Sequence, residues 1–246
     1  MVKFANYRTK DSNMNVVITG ASRGLGKAMA DSFGAGGNNL YLCSQNDILL
    51  YRAVEDLMKR FPKINVKAKP FDLSGKTGAG AFGHWLLDAG VVPDVLVNNA
   101  GQFVQGSIHN EPEGNLEKMI EVNLYSAYHL TRVLLPSMIS NRSGHIFNIC
   151  SIASLGAYKD GGSYSISKFA LSGFSKNLRE ELKPMGIKVT TVYPGAAYTD
   201  SWAATGIARN RFMEAKDIAD MVLAASQLSA HACVEDIILR PQTGDI

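Results

Sequence analysis

Tyr164 and Lys168 stand four residues apart in the run Tyr164-Ser165-Ile166-Ser167-Lys168. On a helix that spacing puts both side chains on one face, one turn apart. A free phenol ionises at about pH 10, too high for ready proton exchange near neutrality, and a neighbouring ammonium stabilises the phenolate and lowers that value. A tyrosine tuned in this way is a general acid toward a developing alkoxide and a general base toward an alcohol. A tyrosine four before a lysine is also an everyday solvated pair, so the reading depends on its company. Ser151 closes an apolar run, where its hydroxyl can donate to an oxygen that is gaining negative charge. It does not read as a hydrolase nucleophile, because Ile149-Cys150-Ser151-Ile152-Ala153 lacks the Gly-x-Ser-x-Gly elbow.

A second group of residues suits phosphate. The first apolar run ends in Thr19-Gly20-Ala21-Ser22-Arg23-Gly24-Leu25-Gly26, and a helical stretch follows. Glycine is needed where the backbone turns sharply and where a phosphate must reach main-chain N–H groups. The helix N-terminus adds unpaired donors and partial positive charge.

The spacing Thr-Gly-x-x-x-Gly-x-Gly resembles the glycine turn of the short-chain dehydrogenase/reductase family. Asn98-Asn99-Ala100-Gly101 resembles the family's Asn-Asn-Ala-Gly, and Asn123 its helix asparagine. Ser151 resembles its substrate serine, Tyr164 to Lys168 its Tyr-x-x-x-Lys, and Pro194-Gly195 with Thr199 its Pro-Gly-x-x-x-Thr. The matches run in order from residue 19 to residue 199. The resemblance implies hydride transfer between a nicotinamide dinucleotide and a small-molecule carbonyl or secondary alcohol, with Asn123, Ser151, Tyr164 and Lys168 as the catalytic set. It further implies that Lys168 hydrogen-bonds the nicotinamide ribose and that Asn123 holds a water joining the lysine to solvent. The implied cofactor residues begin with Gly20, Ser22, Arg23, Gly24, Leu25 and Gly26 in the turn. They continue with Ser44, Asp72, Leu73, Asn99, Ala100 and Gly101, then Tyr164, Lys168, Pro194, Gly195 and Thr199. Asp72 matches the aspartate beside the adenine amino group, although a turn or helix cap suits it nearly as well. The C-terminal Ile237 to Ile246 and the segment Pro194 to Trp202 look more like the bacterial sepiapterin-reductase-like branch than the 3-oxoacyl-acyl-carrier-protein reductases. The resemblance also implies a homodimer or homotetramer, paired through the helices at 116–139 and 164–183.

The choice of nicotinamide turns on the end of the second strand, where an acidic residue binds the ribose 2′-hydroxyl and a basic one accommodates a 2′-phosphate. Here the strand runs into Cys43-Ser44-Gln45-Asn46, with no carboxylate directly at its end. Arg23 stands where NADP(H)-preferring relatives often carry a base, and Ser44 adds a hydroxyl donor. Asp47 is read as the cap of the following helix. The balance favours NADP(H) over NAD(H). An NAD(H)-dependent alcohol dehydrogenase and a non-catalytic nucleotide-binding sensor are the rival readings. The sensor is disfavoured because all four catalytic residues are present.

These side chains need a scaffold, and the hydrophobic pattern supplies one. Short apolar runs at 14–19, 39–43, 64–69, 95–98, 145–150, 188–192 and 236–239 read as strands buried on both faces. Helical patterns lie between them at 24–33, 47–61, 116–139, 164–183 and 215–227. Strand and helix alternating in this way predict a single-domain, Rossmann-type, doubly wound parallel α/β sheet with helices on both faces. Residues 75–90 carry five glycines, each unfavourable inside a helix by up to ~1 kcal/mol, so a helix is expected mainly over 81–89. Residues 199–211 read as a mobile loop within a substrate lid spanning about 196–212. Trp202 is a candidate ring to close over substrate, and Phe103 and Tyr158 are candidate pocket residues.

The bulk composition excludes other classes. The 246 residues carry a formal net charge of +3 with both signs intermixed, so no nucleic-acid stripe is indicated. No apolar run approaches the ~20 residues that span a bilayer. Residues 1–13 read as a polar leader without a secretory core, Met14 as an alternative start, and 14–246 as one catalytic domain. Cys43, Cys150 and Cys233 are odd in number and far apart, and read as buried thiols in a reducing, cytoplasmic setting. The five histidines lack ligand spacing, so no metal is expected.

Overall fold

The computed structural model describes residues 13–199 and 206–246. Nearly all of the segment read as a leader, and Trp202 of the expected lid, lie outside the described residues. The main sheet contains β1 (Asn15–Thr19), β2 (Asn39–Cys43), β3 (Val66–Ala68), β4 (Val95–Asn98), β5 (Gly144–Ile149), β6 (Ile187–Pro194) and β9 (Asp236–Leu239). A separate two-stranded ribbon pairs β7 (Ala197–Tyr198) with β8 (Met213–Glu214). The seven strands follow the spatial order β3-β2-β1-β4-β5-β6-β9, and every neighbouring pair is parallel. The order reverses between β1 and β4. That is the switch point beyond whose carboxyl ends an open α/β sheet forms its ligand crevice.

The strands are apolar at successive positions because both faces are covered. Val16 and Ile18 of β1 face one core, built with Phe33, Leu40, Leu42, Val97, Phe147 and Val192. On that side lie α1 (Gly24–Ala35), α2 (Asp47–Arg60) and α7 (Ala215–Ser226). Val17, between them, faces the opposite core with Phe82, Leu86, Leu96, Leu130 and Ile146. That core is closed by α3 (Gly75–Asp88), α5 (Ser126–Asn141) and α6 (Gly162–Leu182).

Several expectations are corrected. The third helix spans Gly75–Asp88 rather than 81–89. Two of its glycines serve close packing, which outweighs their low propensity. A Cβ on Gly78 would lie 1.6 Å from the Asp72 carbonyl oxygen, and one on Gly83 would lie 2.6 Å from Val133 on α5. The expected continuous helix over 116–139 is α4 (Asn115–Ile120), a π-helical turn at Glu121–Tyr125, and then α5. Asn46, not Asp47, caps α2, its side chain accepting from Leu49 N at 2.9 Å. Asp47 sits inside the first turn and accepts from Ile48 N, where a negative charge still suits the helix dipole. The loop expected at 199–211 has ordered edges: β7 pairs with β8, and Arg209–Arg211 forms a 3-10 turn. Cys43 and Cys150 are buried, but Cys233 is exposed.

His145 on β5 is buried against Phe147. Its Nε2 lies 2.7 Å from Thr190 Oγ1, and that hydroxyl donates to the Val234 carbonyl. The neutral ring must therefore donate from Nε2. Burial pushes its pKa from 6.5 down to about 3. The unfolded chain takes up this proton as pH falls through its ordinary value, while the folded chain resists until about 3. Stability is thus complete above that ordinary value and declines between the two, by a total on the order of a few kcal/mol. Urea unfolding at neutral and acid pH should show this slope, and His145→Gln should flatten it. An unchanged slope would assign acid sensitivity elsewhere.

Candidate active site

The site is assembled from loops at the carboxyl ends of the strands. β1 ends at Thr19, whose Oγ1 accepts from Asn99 N at 2.9 Å and Ala100 N at 2.8 Å. Asn99 returns the tie, its Nδ2 donating to the Thr19 carbonyl at 2.9 Å and the Gly20 carbonyl at 3.2 Å. The glycine turn and the Asn-Asn-Ala-Gly loop are thereby one rigid unit. Gly20 and Gly24 have φ of +65° and +56°, which other residues rarely adopt. Gly26 lies beneath the turn, where a Cβ would fall 2.2 Å from the Gly20 carbonyl oxygen. Ser22 Oγ and Ser44 Oγ, 2.8 Å apart, tie the turn to the end of β2. Among the described residues no side chain caps α1 at Arg23, and no acidic residue occupies its first turn. Backbone donors and helix polarity at that end suit a phosphate group.

A cleft of about 670 Å³ runs from this turn across the sheet. Gly20, Ser22, Arg23, Gly24 and Leu25 line one end, with Ser44, Asp72 and Leu73 beside them. Asn99, Ala100 and Gly101 form its floor, and Tyr164, Lys168 and Thr199 also line it. Thr199 stands opposite Gly24, 3.5 Å from where a Cβ would project. Asp72 accepts from Ser74 N and Oγ through Oδ1, as in a turn, and from Gln45 Nε2 at 3.0 Å through Oδ2. Pro194 and Gly195 are set back from the cleft. Pro194 pairs with Leu239, and Gly195 N donates to the Leu239 carbonyl at 2.7 Å.

α6 presents Tyr164 and Lys168 on one face. Lys168 is buried, and its Nζ donates to the Ile149 carbonyl at 2.8 Å, at the end of β5. The same Nζ lies 5.9 Å from the centre of the Tyr164 ring. Ser151 follows β5, with its Oγ accepting from Ala153 N at 3.1 Å, and its hydroxyl acts to lower the pKa of the Tyr164 phenol. Asn123 sits in the middle of the π-helical turn and is buried. Its Oδ1 accepts from Gln102 N at 2.7 Å, and its Nδ2 donates to the Gln102 carbonyl and to Ser167 Oγ. Ser167 Oγ in turn donates to the Tyr164 carbonyl at 2.7 Å.

The ionisation pattern differs from the simple pair expected. Burial pushes the Tyr164 phenol up to about 12, with the Ser151 hydrogen bond pulling it down only in part. Burial likewise pushes Lys168 below the usual lysine range. The ammonium is aimed at the Ile149 carbonyl, so in the chain alone it does not offset the desolvation of the phenol. Sequence reasoning missed the Ile149 carbonyl, Gln102 and the cleft-lining Cys150, whose thiol burial pushes up to about 12. Backbone acceptors leave no residue-type signature, which is why the first was invisible. No group of metal-binding side chains occurs among the described residues, and no helix there is long and apolar enough to cross a membrane.

A family model described as short chain dehydrogenase matches residues 14–210. The chain is similar to an uncharacterized oxidoreductase of Staphylococcus epidermidis, 28% identical over 225 residues that cover 92% of this chain and 96% of that protein. It is similar to the solved structure of a metagenomic short-chain oxidoreductase in complex with NADP, at 31% identity and TM-score 0.81, covering 94% of this chain and 98% of that one. It is also similar to an alcohol dehydrogenase from the archaeon Thermococcus sibiricus complexed with 5-hydroxy-NADP. There the identity is 26% and the TM-score 0.86, with 94% and 97% of the two chains covered.

The packing of the turn is testable without any ligand. Gly26→Ala puts a methyl against a backbone oxygen that cannot swing away, and should destabilise the fold by roughly 1–3 kcal/mol. Gly80→Ala, with open space around the new methyl, should be neutral or stabilise slightly. Urea unfolding midpoints of the two variants compare them directly. Equal midpoints would mean that the turn relaxes at no cost.

Proposed function

Because the chain belongs to the short-chain dehydrogenase/reductase family and is therefore a nicotinamide-dependent oxidoreductase of alcohols and carbonyls, we propose that it is an NADP(H)-dependent carbonyl reductase with Tyr164 as proton donor. The observation that carries this reading is the single cleft joining the glycine turn to Tyr164 and Lys168. One end of the cleft suits a pyrophosphate; the other holds a proton donor.

The nicotinamide supplies the hydride when bound. The chain's own residues account for the rest. Gly20 to Leu25 would hold the pyrophosphate, and Asn99 to Gly101 would back the dinucleotide. Ser151 steadies the substrate oxygen, and Tyr164 gives that oxygen a proton. Lys168, which lines the cleft, would meet the ribose, and Asn123 fixes the backbone at Gln102 and, through Ser167, the start of the Tyr164 turn. A phenol held up to about 12 is protonated throughout the neutral range, which is the state a reductase needs.

Preference for NADP(H) over NAD(H) is supported by the polar edge of the cleft. Arg23, Ser44, Gln45 and Asn46 line it; of the carboxylates nearby, Asp47 is turned to its own helix and Asp72 accepts from Ser74 and Gln45. Two solved relatives bind NADP or 5-hydroxy-NADP. The resemblance of the C-terminal segment to the sepiapterin-reductase-like branch supports a small ketone or diketone as substrate. Residues 14–246 would act as one catalytic unit, with 196–212 as the substrate lid, in a homodimer or homotetramer. The free cysteines fit the cytoplasm.

Three measurements test the proposal. Tyr164→Phe should lower kcat for ketone reduction by at least about a hundredfold while NADPH still binds; turnover near that of the wild type would remove Tyr164 as the donor. NADPH should bind at least about tenfold more tightly than NADH, and Arg23→Ala should narrow the gap. Alcohol oxidation requires the deprotonated phenol, so its rate should climb by up to about tenfold per pH unit above neutrality while ketone reduction stays nearly flat. An oxidation rate that is flat in pH would mean that the loaded site does not keep the phenol at the high pKa it has in the chain alone.

A further inference from the structure

Helix α6 begins without a cap of its own. Gly161 and Gly162, at its start, have no side chains, and no local side chain caps the helix. The first N–H groups of a helix need partners from elsewhere. Here the partner comes from 52 residues earlier in the chain. Glu111, on the segment between β4 and α4, accepts from Ser163 Oγ at 2.6 Å through Oε1. Its Oε2 accepts from Ser163 N at 3.3 Å and from Asn115 Nδ2 at 2.8 Å. A carboxylate at this end of a helix is also favoured by the helix dipole. The hydrogen bonds from Ser163, and then Asn115, hold the Glu111 carboxyl below the usual range.

The join is tight on both sides. A Cβ on Gly162 would lie 2.3 Å from the Gly106 carbonyl oxygen and 3.0 Å from Glu111 Oε2, and Gly162 has φ of +35°. Gly106 N donates to the Asp160 carbonyl at 3.2 Å, and the Ser107 hydroxyl donates to the Asp160 carboxylate. The segment that carries Glu111 also carries Phe103, whose ring stands edge-on to the Tyr164 ring at 4.8 Å. Ser163 immediately precedes Tyr164. One carboxylate therefore fixes both the helix turn from which the phenol projects and the segment that packs against the phenol ring.

We infer that Glu111 is a positioning residue for the reaction: it acts through Ser163 to set where the Tyr164 hydroxyl sits, an inference that rests on Tyr164 being the proton donor. Misplacement of a reacting group by about 1 Å can cost about a hundredfold in rate, so a tie one residue away from the phenol has leverage on turnover. The cofactor end of the cleft is built from the glycine turn and from Asn99 to Gly101 at the start of this segment, which the Thr19 and Asn99 hydrogen bonds hold separately from the Glu111 tie.

The test uses the full chain, NADPH, and the best-reduced member of a panel of 1,2-diketones such as 2,3-butanedione. Rates are expressed per NADPH-binding site, titrated by fluorescence, so that a misfolded fraction does not count. Glu111→Ala should lower kcat by about tenfold or more with the NADPH dissociation constant unchanged. Glu111→Gln, which keeps an acceptor for the Ser163 hydroxyl at the same reach, should recover much of that loss. Ser163→Ala should lower kcat similarly, and the double variant Glu111→Ala/Ser163→Ala should be little worse than either alone, because one tie is removed. Wild-type kcat in Glu111→Ala, or losses that multiply in the double variant, would overturn the inference. Should Glu111→Ala not fold, Ser163→Ala carries the test, and a wild-type kcat in that variant would overturn the inference. Tyr164→Phe run in parallel separates the two readings. If it keeps its turnover, the donor assignment fails; if it is dead while Glu111→Ala is unaffected, only the role of Glu111 fails.

Discussion

A lysine ammonium cannot be buried without an acceptor, and the acceptor given to Lys168 is the carbonyl at the end of β5. That bond ties α6 to the sheet at the place where the strands open into the cleft. The desolvation of a charged group costs several kcal/mol unless it is met by polar partners, so the register of the helix against the strand is not free to drift. Tyr164, one turn earlier on the same face, is carried to the cleft by the same constraint. The position of the phenol is a consequence of where the lysine must go.

The sheet around this contact contains other buried polar groups that fix its geometry. Asn98 on β4 donates to Asn148 on β5 and to Thr131 on α5, and Asn148 donates to Ser175 on α6. Two strands and two helices are thus joined by side-chain bonds in an otherwise apolar core. Such groups are costly when unpaired, so sliding either helix by a turn would strand several of them. The Thr19 and Asn99 bonds do the same work on the opposite side of the switch point. The cleft is rigid at its floor because its two flanking loops are hydrogen-bonded to each other rather than only to solvent.

The strands were legible in the sequence because full burial leaves unbroken apolar runs; three of the seven, at 39–43, 95–98 and 236–239, match the observed bounds. The glycine turn was legible because φ above zero and close approach both demand glycine, which leaves a spacing. What was not legible depends on tertiary contact. Gly78 and Gly83 look like helix breakers until the neighbouring Asp72 carbonyl and Val133 are in view. The π-helical turn at Asn123 has no residue-type signal, and the pairing of the Asn123 amide with the Gln102 backbone is a tertiary contact. The β7–β8 ribbon, two residues on each side, is too short to leave a period. Glu111 acts on a partner 52 residues away in the chain, a distance that leaves no local pattern.

The ionisation of the site shows why spacing alone is an incomplete guide to chemistry. Four-residue spacing places the phenol and the ammonium on one face, and from that alone the phenol is expected to become more acidic. Burial acts on both groups in the opposite sense: it disfavours the phenolate and disfavours the ammonium. In the chain alone burial prevails at Tyr164, because the lysine is turned toward a carbonyl and, among the described residues, Ser151 alone pulls the phenol down. The arrangement holds the proton on the tyrosine. A dinucleotide entering the cleft would exchange solvent for its own ribose and amide groups, and would offer Lys168 partners other than Ile149. Whatever tuning the lysine exerts on the phenol would therefore belong to the loaded site; in the chain alone the phenol keeps its proton through the neutral range.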